Sequence, residues 1–171
     1  MQFTEYVRKI ARNPDQLRYK NEAVIDKHRA WYQALAPVLE DLRDIKYAVI
    51  KGDVLSITAY GEIGYRDSHD IDILVEKKNL RTLYTIFMKH GFESVLFKND
   101  GNHRELTRME KIMLINSHQE VPLCKMLEGG EMLEVDINVD IFWGEYTGRR
   151  IGVDTLLSHS ANICMFGYNV P

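Results

Sequence analysis

Two aspartates one residue apart, Asp70 and Asp72, stand at the start of an apolar run in the stretch HDIDILV. If this run is a β-strand, alternation sends both carboxylates to one face, while Ile71, Ile73 and Val75 point to the other. Two like charges at this spacing repel each other, so the pair needs water, a cation or an arginine to neutralise it. Carboxylate oxygens are also ligands that Mg²⁺ prefers, usually together with substrate phosphates. The motif alone is therefore compatible with a metal site and with a solvated strand entrance.

The element before this strand ends in a glycine turn. The apolar run at 46–50 predicts a buried strand, which Gly52 ends. A short helix, VLSITAY, is predicted to follow, with Asp53 as its N-cap. The glycine-punctuated loop GEIGYRDSHD then leads into the strand at Ile71. Since a turn at a helix N-terminus presents backbone N–H groups, this junction is a candidate phosphate-binding site.

The remaining pattern predicts a mixed sheet with helices around it. Apolar spacings of three and four predict helical structure from Gln2 to about Asp44, divided into two helices by RNPDQ. A further helix is predicted over KKNLRTLYTIFMKHG, and strand-like stretches follow at FESVLF, HRELTRM, KIMLINSH and LEVDINVDIFW. The order of elements is typical of an α+β fold with one sheet. We expect residues 1–45 to form a helical segment packed on the core and residues 46–171 to form the main domain.

Length and composition limit the classes of protein that this chain can belong to. It has 171 residues, of which 45% are hydrophobic and 27% are charged, as expected for one globular domain. Its net charge of −3 gives no strong signal for nucleic-acid binding. No stretch approaches the ~20 apolar residues of a membrane span, and Cys124 and Cys164 form no CxxC pair. We therefore expect a cytoplasmic protein with two buried thiols and no membrane partner.

In order and spacing, these pieces resemble the nucleotidyltransferase fold of the DNA polymerase beta-like superfamily. That fold has a glycine turn after its first strand, two acids on the next strand and a third acid on a later strand. More narrowly, IKGDVLSITAYGEIGYRDSHDIDILV at 50–75 and VDIFW at 139–143 are similar to an uncharacterised bacterial nucleotidyltransferase family. Members of this family carry KG, R and DIDLLV in that order and VDLHW later. The resemblance covers about residues 46–171.

The resemblance implies that the protein transfers a nucleoside monophosphate from an NTP to an acceptor. The residues that would hold Mg²⁺ or Mn²⁺ and carry the catalysis are Asp70, Asp72 and Asp140. The candidate nucleotide-binding residues are Lys51, Gly52, Arg66 and Ser68. Arg66 would contact the triphosphate with two donors, and its structural alternative is an ion pair with one of the aspartates.

The third acid has two candidates on one predicted strand. In LEVDINVDIFW, Asp136 and Asp140 share a face, and alternation alone does not choose between them. The likeness of VDIFW to the VDLHW of the family selects Asp140. At ~3.3 Å per residue, the α-carbons of the two candidates stand roughly 13 Å apart, so only one can reach a metal held by the aspartate pair. A strand slip or a bulge would change the choice.

Two features depart from the pattern of the family. Asp53 follows the glycine where the fold usually has glycine or serine, and as an N-cap it would occupy the amides that a phosphate needs. The family usually continues into a helical C-terminal part, so we expect either a truncated domain or a helical partner. The alternatives to an active enzyme are a degenerate nucleotide-binding protein and an antitoxin-like regulatory module. The sequence does not define the acceptor, whether a small molecule, a sugar or a protein side chain.

Overall fold

The structure of the protein, a computed structural model, describes residues 14–64, 66–94, 96–97, 103–116, 118–142 and 151–171. The helices are α1 (Pro14–Asp41), α2 (Gly52–Tyr60), α3 (Leu80–Lys89), α4 (Arg108–Asn116) and α5 (Val153–Ser158), with a 3₁₀ helix at Lys77–Asn79. The strands are β1 (Tyr47–Ile50), β2 (Ile71–Val75), β3 (Leu96–Phe97), β4 (His103–Arg104), β5 (Leu123–Met126), β6 (Met132–Asn138), β7 (Ile163–Met165) and β8 (Tyr168–Val170).

A four-stranded mixed sheet organises these elements, with the strand order β1-β2-β6-β5. β2 is antiparallel to β1 and parallel to β6, and β5 is antiparallel to β6. All five residues of β2 are buried, as expected for a central strand with both faces covered. The pairs β3–β4 and β7–β8 form two further small sheets. The α+β class and the mixed sheet flanked by helices are therefore confirmed.

One face of the sheet forms the hydrophobic core with α1 and α3. The buried side chains of the sheet on this face include Val49, Ile73, Val75, Val135 and Ile137. The helices supply Tyr32, Leu35 and Val38 from α1 and Leu83 and Phe87 from α3. The β7–β8 hairpin joins the same cluster, and the carbonyl of Pro171 accepts a hydrogen bond from the N–H of Val49 at 2.8 Å. Helix α1 thus belongs to the same core as the sheet.

The opposite face of the sheet has an apolar half and an acidic half. Leu74, near the end of β2, packs with Ala48 of β1 and Leu157 of α5. Two residues earlier on the same face stands Asp72, and Asp70 immediately precedes the strand. Helix α5 therefore covers the apolar half, and the polar side chains of the sheet collect beside it.

Most of the predicted elements in the first half of the chain are confirmed. The structure has a strand at Tyr47–Ile50, a helix at Gly52–Tyr60, a strand at Ile71–Val75 and a helix at Leu80–Lys89. Helix α1 begins at Pro14, which agrees with a helix boundary within RNPDQ. The helix predicted before this proline lies outside the described residues.

The strand predicted at KIMLINSH is wrong, because Arg108–Asn116 form α4. A capping box starts this helix: the hydroxyl of Thr107 accepts a hydrogen bond from the N–H of Glu110 at 3.3 Å. In return, the carboxylate of Glu110 accepts one from the N–H of Thr107 at 2.8 Å. The T-x-x-E signal is visible in the sequence and outweighs the strand-like apolar run that follows it.

Strand β5 and helix α5 are among the elements that were not predicted. The four residues of β5 include a lysine, and their strand conformation comes from pairing with β6 and not from a local alternating pattern. Helix α5 has only six residues, too few for a clear periodicity. The cysteine prediction is half wrong, since Cys124 of β5 is buried but Cys164 of β7 is exposed.

The loop between α2 and β2 packs closely on α1 at Gly64. A Cβ atom at Gly64 would lie 2.8 Å from Cγ1 of Ile25 and 3.2 Å from the carbonyl oxygen of Asn21. The φ angle of Gly64 is +104°, which residues with a side chain rarely adopt. Glycine is therefore required here both by the backbone conformation and by the space available.

We predict that Gly64→Ala lowers the free energy of unfolding by ~2–4 kcal/mol, because it adds a clash with α1 to the backbone strain. Gly129→Ala is the matched control, since its φ is +100° but nothing lies within 4 Å of an added Cβ. The control should lose only ~1 kcal/mol from strain. Urea unfolding of both variants measures the difference, and equal losses would contradict the packing of this loop on α1.

Candidate active site on the acidic face of the sheet

The candidate site is formed by acidic side chains of two neighbouring parallel strands. Asp72 of β2 and Asp136 of β6 are direct partners in the register. Their side chains share the face opposite the core, because the residues on either side of each pack into the core. Asp70 precedes Asp72 by two residues, and Glu134 precedes Asp136 by two residues. By alternation along the strands, all four side chains belong to this face. The fold therefore brings four carboxylates together.

Burial and mutual repulsion raise the pKa values of three of these acids, Asp70, Glu134 and Asp136. Burial, followed by the charges of Asp70, Glu134 and Asp72, raises the pKa of Asp136 to about 6. The pKa of Asp70 is raised by burial and then by Asp72, although Lys51 acts in the opposite direction. Burial and the charge of Asp70 also raise the pKa of Glu134. The acidic half of the face therefore carries more negative charge than its surroundings neutralise.

Asp72 receives two hydrogen bonds on a single oxygen. Its Oδ1 accepts from Nζ of Lys51 at 2.6 Å and from Nδ2 of Asn138 at 3.1 Å. On the neighbouring strand, Nε2 of Gln119 lies 3.4 Å from Oδ2 of Asp136. Neither Asn138 nor Gln119 was predicted from the sequence to be a site residue. Alternation along β6 could have found Asn138, because it shares a face with Asp136.

The structure places Asp136, not Asp140, beside Asp72. Strand β6 ends at Asn138, so Asp140 lies beyond the strand and outside the register with β2. Its Oδ1 accepts hydrogen bonds from the backbone N–H groups of the next two residues at 2.7 and 3.2 Å. The register therefore favours Asp136 as the acid beside Asp72, while the choice of Asp140 from the VDIFW motif stays a prediction. Trp143 of the same motif lies outside the described residues.

Strand β1 passes into α2 through a turn with an unusual backbone. Lys51 has a φ of 59° and Gly52 a φ of 30°. A Cβ atom at Gly52 would lie 3.2 Å from Oγ of Ser68. Ser68 is 5% exposed, and its Oγ has no hydrogen-bond partner among the described residues. A buried hydroxyl without a partner beside the N-terminus of α2 indicates an anion site, because a bound anion would complete its hydrogen bonding.

The prediction that Asp53 caps α2 is wrong. Among the described residues, no side chain caps this helix end. Instead, Oδ1 of Asp53 lies 2.6 Å from Nδ1 of His28 in α1, and both side chains are buried. The imidazole also stacks on Trp31 with ring centroids 5.0 Å apart. Because the carboxylate of Asp53 is bonded to α1, it does not occupy the backbone amides that a phosphate needs. The departure of Asp53 from the family pattern therefore does not block phosphate binding at this turn.

Helix α1 also holds the loop that precedes β2. Nζ of Lys27 donates to the carboxylate of Asp67 and, at 2.8 Å, to the carbonyl of Ser68. Nε2 of His28 lies 4.0 Å from Oδ1 of Asp67. One helix therefore positions both backbone segments of the site, the turn through Asp53 and the loop through Asp67.

Arg66 lies exposed in the same loop. Its positive charge is among the influences that lower the pKa of Asp70, after those of Lys51 and His69. Lys51, by contrast, contacts Asp72 directly through an ion pair. The contact between Arg66 and a triphosphate stays a prediction.

The donor set of the site fits a divalent cation in its chemistry. Carboxylate oxygens such as those of Asp70, Asp72 and Asp136 are ligands that Mg²⁺ prefers. In the described part of the chain, no three carboxylate, imidazole or thiol groups already converge as a metal-binding cluster. Asp72 instead forms an ion pair with the ammonium of Lys51, which is a cation of the chain itself.

The sequence model of one protein family, described as uncharacterised nucleotidyltransferase, matches residues 8–171. A search of curated proteins finds no significant match, and neither does a search of solved structures. No helix in the described ranges has the length and apolar composition needed to cross a membrane.

We predict that Asp136→Asn stabilises the cation-free protein at neutral pH. The pKa of Asp136 rises from 3.8 to about 6 on folding, so the folded protein binds this proton more tightly than the unfolded chain does. The resulting stability is present below the unfolded pKa and is lost as the pH rises through about 6. The advantage of the variant should therefore grow between pH ~4 and ~7, as urea unfolding in EDTA would show. The exposed Asp26→Asn is the control, and a variant no more stable than the parent at pH 7 would contradict the prediction.

We predict that His28→Leu lowers the free energy of unfolding by ~3 kcal/mol or more, because Asp53 is left buried without its partner. The double variant His28→Leu/Asp53→Leu should regain much of this loss, since replacing both members of a buried pair by apolar residues can be nearly neutral. Denaturant unfolding of the two single variants and the double variant gives the coupling energy. Additive losses would show that the two residues do not stabilise each other.

Proposed function

The chain belongs to the uncharacterised nucleotidyltransferase family, and on this premise we propose that it transfers a nucleoside monophosphate from an NTP to an acceptor. The observation that carries the proposal is the register of β2 and β6, which sets Asp72 beside Asp136. The glycine turn of the same site begins α2 beside the buried hydroxyl of Ser68. Carboxylates next to an anion site are what a cation-bridged triphosphate requires.

The cation is proposed to be Mg²⁺ or Mn²⁺, held by Asp70, Asp72 and Asp136. When bound, it would neutralise the triphosphate and stabilise the charge that develops in the transfer. The raised pKa of Asp136 supports this assignment, because a cation would offset the burial and the repulsion among the acids that together cause it. Asn138 orients Asp72 through its hydrogen bond of 3.1 Å.

The triphosphate is proposed to bind at Gly52, Ser68, Lys51 and Arg66. Without a side chain at Gly52, a phosphate can approach the N–H groups that begin α2. Oγ of Ser68 is buried beside this turn and would donate to a phosphate oxygen. Arg66 would add charged donors from the exposed loop. Asp53 does not compete for the same amides, because it is bonded to His28.

In the proposed reaction, the acceptor oxygen forms a bond to the α-phosphorus. The bond from this phosphorus to the oxygen that bridges to the β-phosphate breaks, and pyrophosphate leaves with the electron pair. The acceptor proton passes to a carboxylate of the acidic face. Incubation with α-labelled NTPs and cell lysate would identify the acceptor from the labelled product. Binding of NTP without any labelled product would instead favour a nucleotide-binding protein without turnover.

We predict that Asp72→Asn and Asp136→Asn each weaken cation-dependent NTP binding by at least ~tenfold, or ~1.4 kcal/mol, because each removes a charged ligand. Asp140→Asn is the matched control and should bind like the parent. Calorimetry with each NTP and Mn²⁺ measures the affinities, and circular dichroism checks folding. If only the Asp140 variant lost binding, Asp140 and not Asp136 would be the third carboxylate ligand of the cation.

In the same experiment Arg66→Ala should weaken binding of the NTP more than binding of the cation, because its guanidinium is proposed to contact phosphate. If the parent protein binds no NTP with either cation, the transferase proposal fails.

A further inference from the structure

We propose that Lys51 is an internal counter-ion, which neutralises Asp72 in the cation-free protein and must leave it when a divalent cation and a triphosphate bind. The inference rests on the proposed function, because it concerns the same acidic face. It adds that binding of the cation and binding of the nucleotide are coupled through one lysine.

The contacts of Asp72 show why Lys51 and a cation compete for its Oδ1. Nζ of Lys51 lies 2.6 Å from Oδ1, and Nδ2 of Asn138 lies 3.1 Å from the same atom. A carboxylate oxygen offers about two acceptor positions, and Oδ1 already accepts from these two donors. A cation ligated by this oxygen would also stand close to the positive charge of the ammonium. The lysine must therefore move before Oδ1 can become a metal ligand.

The two donors to Asp72 differ in their freedom to move. Asn138 is 2% exposed and lies within β6, so it stays in place. The side chain of Lys51 is 41% exposed, although the Asp72 side chain that it contacts is only 7% exposed. A lysine with a flexible four-carbon stem and an open side can change its partner without disturbing the core.

The position of Lys51 provides a second partner for its ammonium. It immediately precedes Gly52, the first residue of α2, and has a φ of 59°. An anion at this helix N-terminus, next to Oγ of Ser68, would lie beside the backbone of Lys51. The same ammonium can therefore pair with Asp72 before nucleotide binds and with a phosphate afterwards.

This exchange of partners by Lys51 couples the binding of the cation to the binding of the triphosphate. In the absence of nucleotide, a cation has to displace Lys51 from Asp72, so its affinity is reduced. A triphosphate offers the lysine another negative partner and frees Asp72 for the cation. By linkage, the cation then increases the affinity for the triphosphate by the same factor.

Substitution of Lys51 separates these effects, because the two affinities should change in opposite directions. The variant Lys51→Met removes the charge and keeps much of the apolar stem. Lys46→Met is the matched control, since this lysine is exposed, lies just before β1 and undergoes the same change of charge. Lys51→Gln is a second variant, which keeps a polar side chain but removes the positive charge, in case the methionine variant does not fold.

Titration with Mn²⁺ in the absence of nucleotide, followed by electron paramagnetic resonance of the free ion, gives the cation affinity. We expect Lys51→Met and Lys51→Gln to bind Mn²⁺ about tenfold more tightly than the parent and the control. In the presence of NTP the difference should shrink, and the variants should bind NTP more weakly than the parent.

The outcomes distinguish this inference from the proposed function. Equal or weaker Mn²⁺ binding by both Lys51 variants, with NTP binding intact in the parent, would overturn the counter-ion role and leave the transferase proposal standing. Tighter Mn²⁺ binding by the variants, with no NTP binding by any of the proteins, would support the counter-ion role and overturn the transferase proposal. Absence of Mn²⁺ binding in every protein, both with and without NTP, would overturn both.

Discussion

The parallel pairing of β2 with β6 forces like charges together. Ile73 and Ile137 are direct partners on the core face, so Asp72 and Asp136 must be partners on the other. A shift of one residue in either strand would separate the carboxylates, but it would also turn the apolar side chains of that strand away from the core. The hydrophobic core therefore fixes the register, and the register fixes the charge of the site. Repulsion among the acids therefore persists as long as the core keeps this register.

The backbone of the site depends on a helix that is distant in sequence. Helix α1 contacts the glycine turn through His28 and Asp53 and the following loop through Lys27 and Asp67. It also limits the space at Gly64 in that loop. Because the same helix contributes to the hydrophobic core, the geometry of the glycine turn is tied to the packing of that core. The N-terminal helical segment is therefore part of the framework of the site.

The sequence predicts the features of this site that are local and misses those that depend on partners. Alternation and a glycine turn suffice to place the Asp70–Asp72 pair and the start of α2, since both patterns lie within a few residues. The end of β6 and its register with β2 are set by contacts between distant segments, so the motif alone selected Asp140. Asp53 was assigned as a cap from its local preference, but it is bonded to a histidine 25 residues earlier. By contrast, the capping box of α4 was a local signal, and the strand-like composition after it was given too much weight.

A site with four neighbouring carboxylates must be neutralised even when no ligand is bound. The chain does this incompletely: Lys51 places a positive charge on Asp72, whereas the amides of Asn138 and Gln119 offer only uncharged donors to Asp72 and Asp136. The remaining repulsion and the burial of the acids are expressed in the raised pKa of Asp136, about 6. Any ligand that brings positive charge relieves this repulsion only in the folded protein, because the acids separate on unfolding. Cation binding should therefore stabilise the fold as well as organise the site, and the two effects share one electrostatic origin.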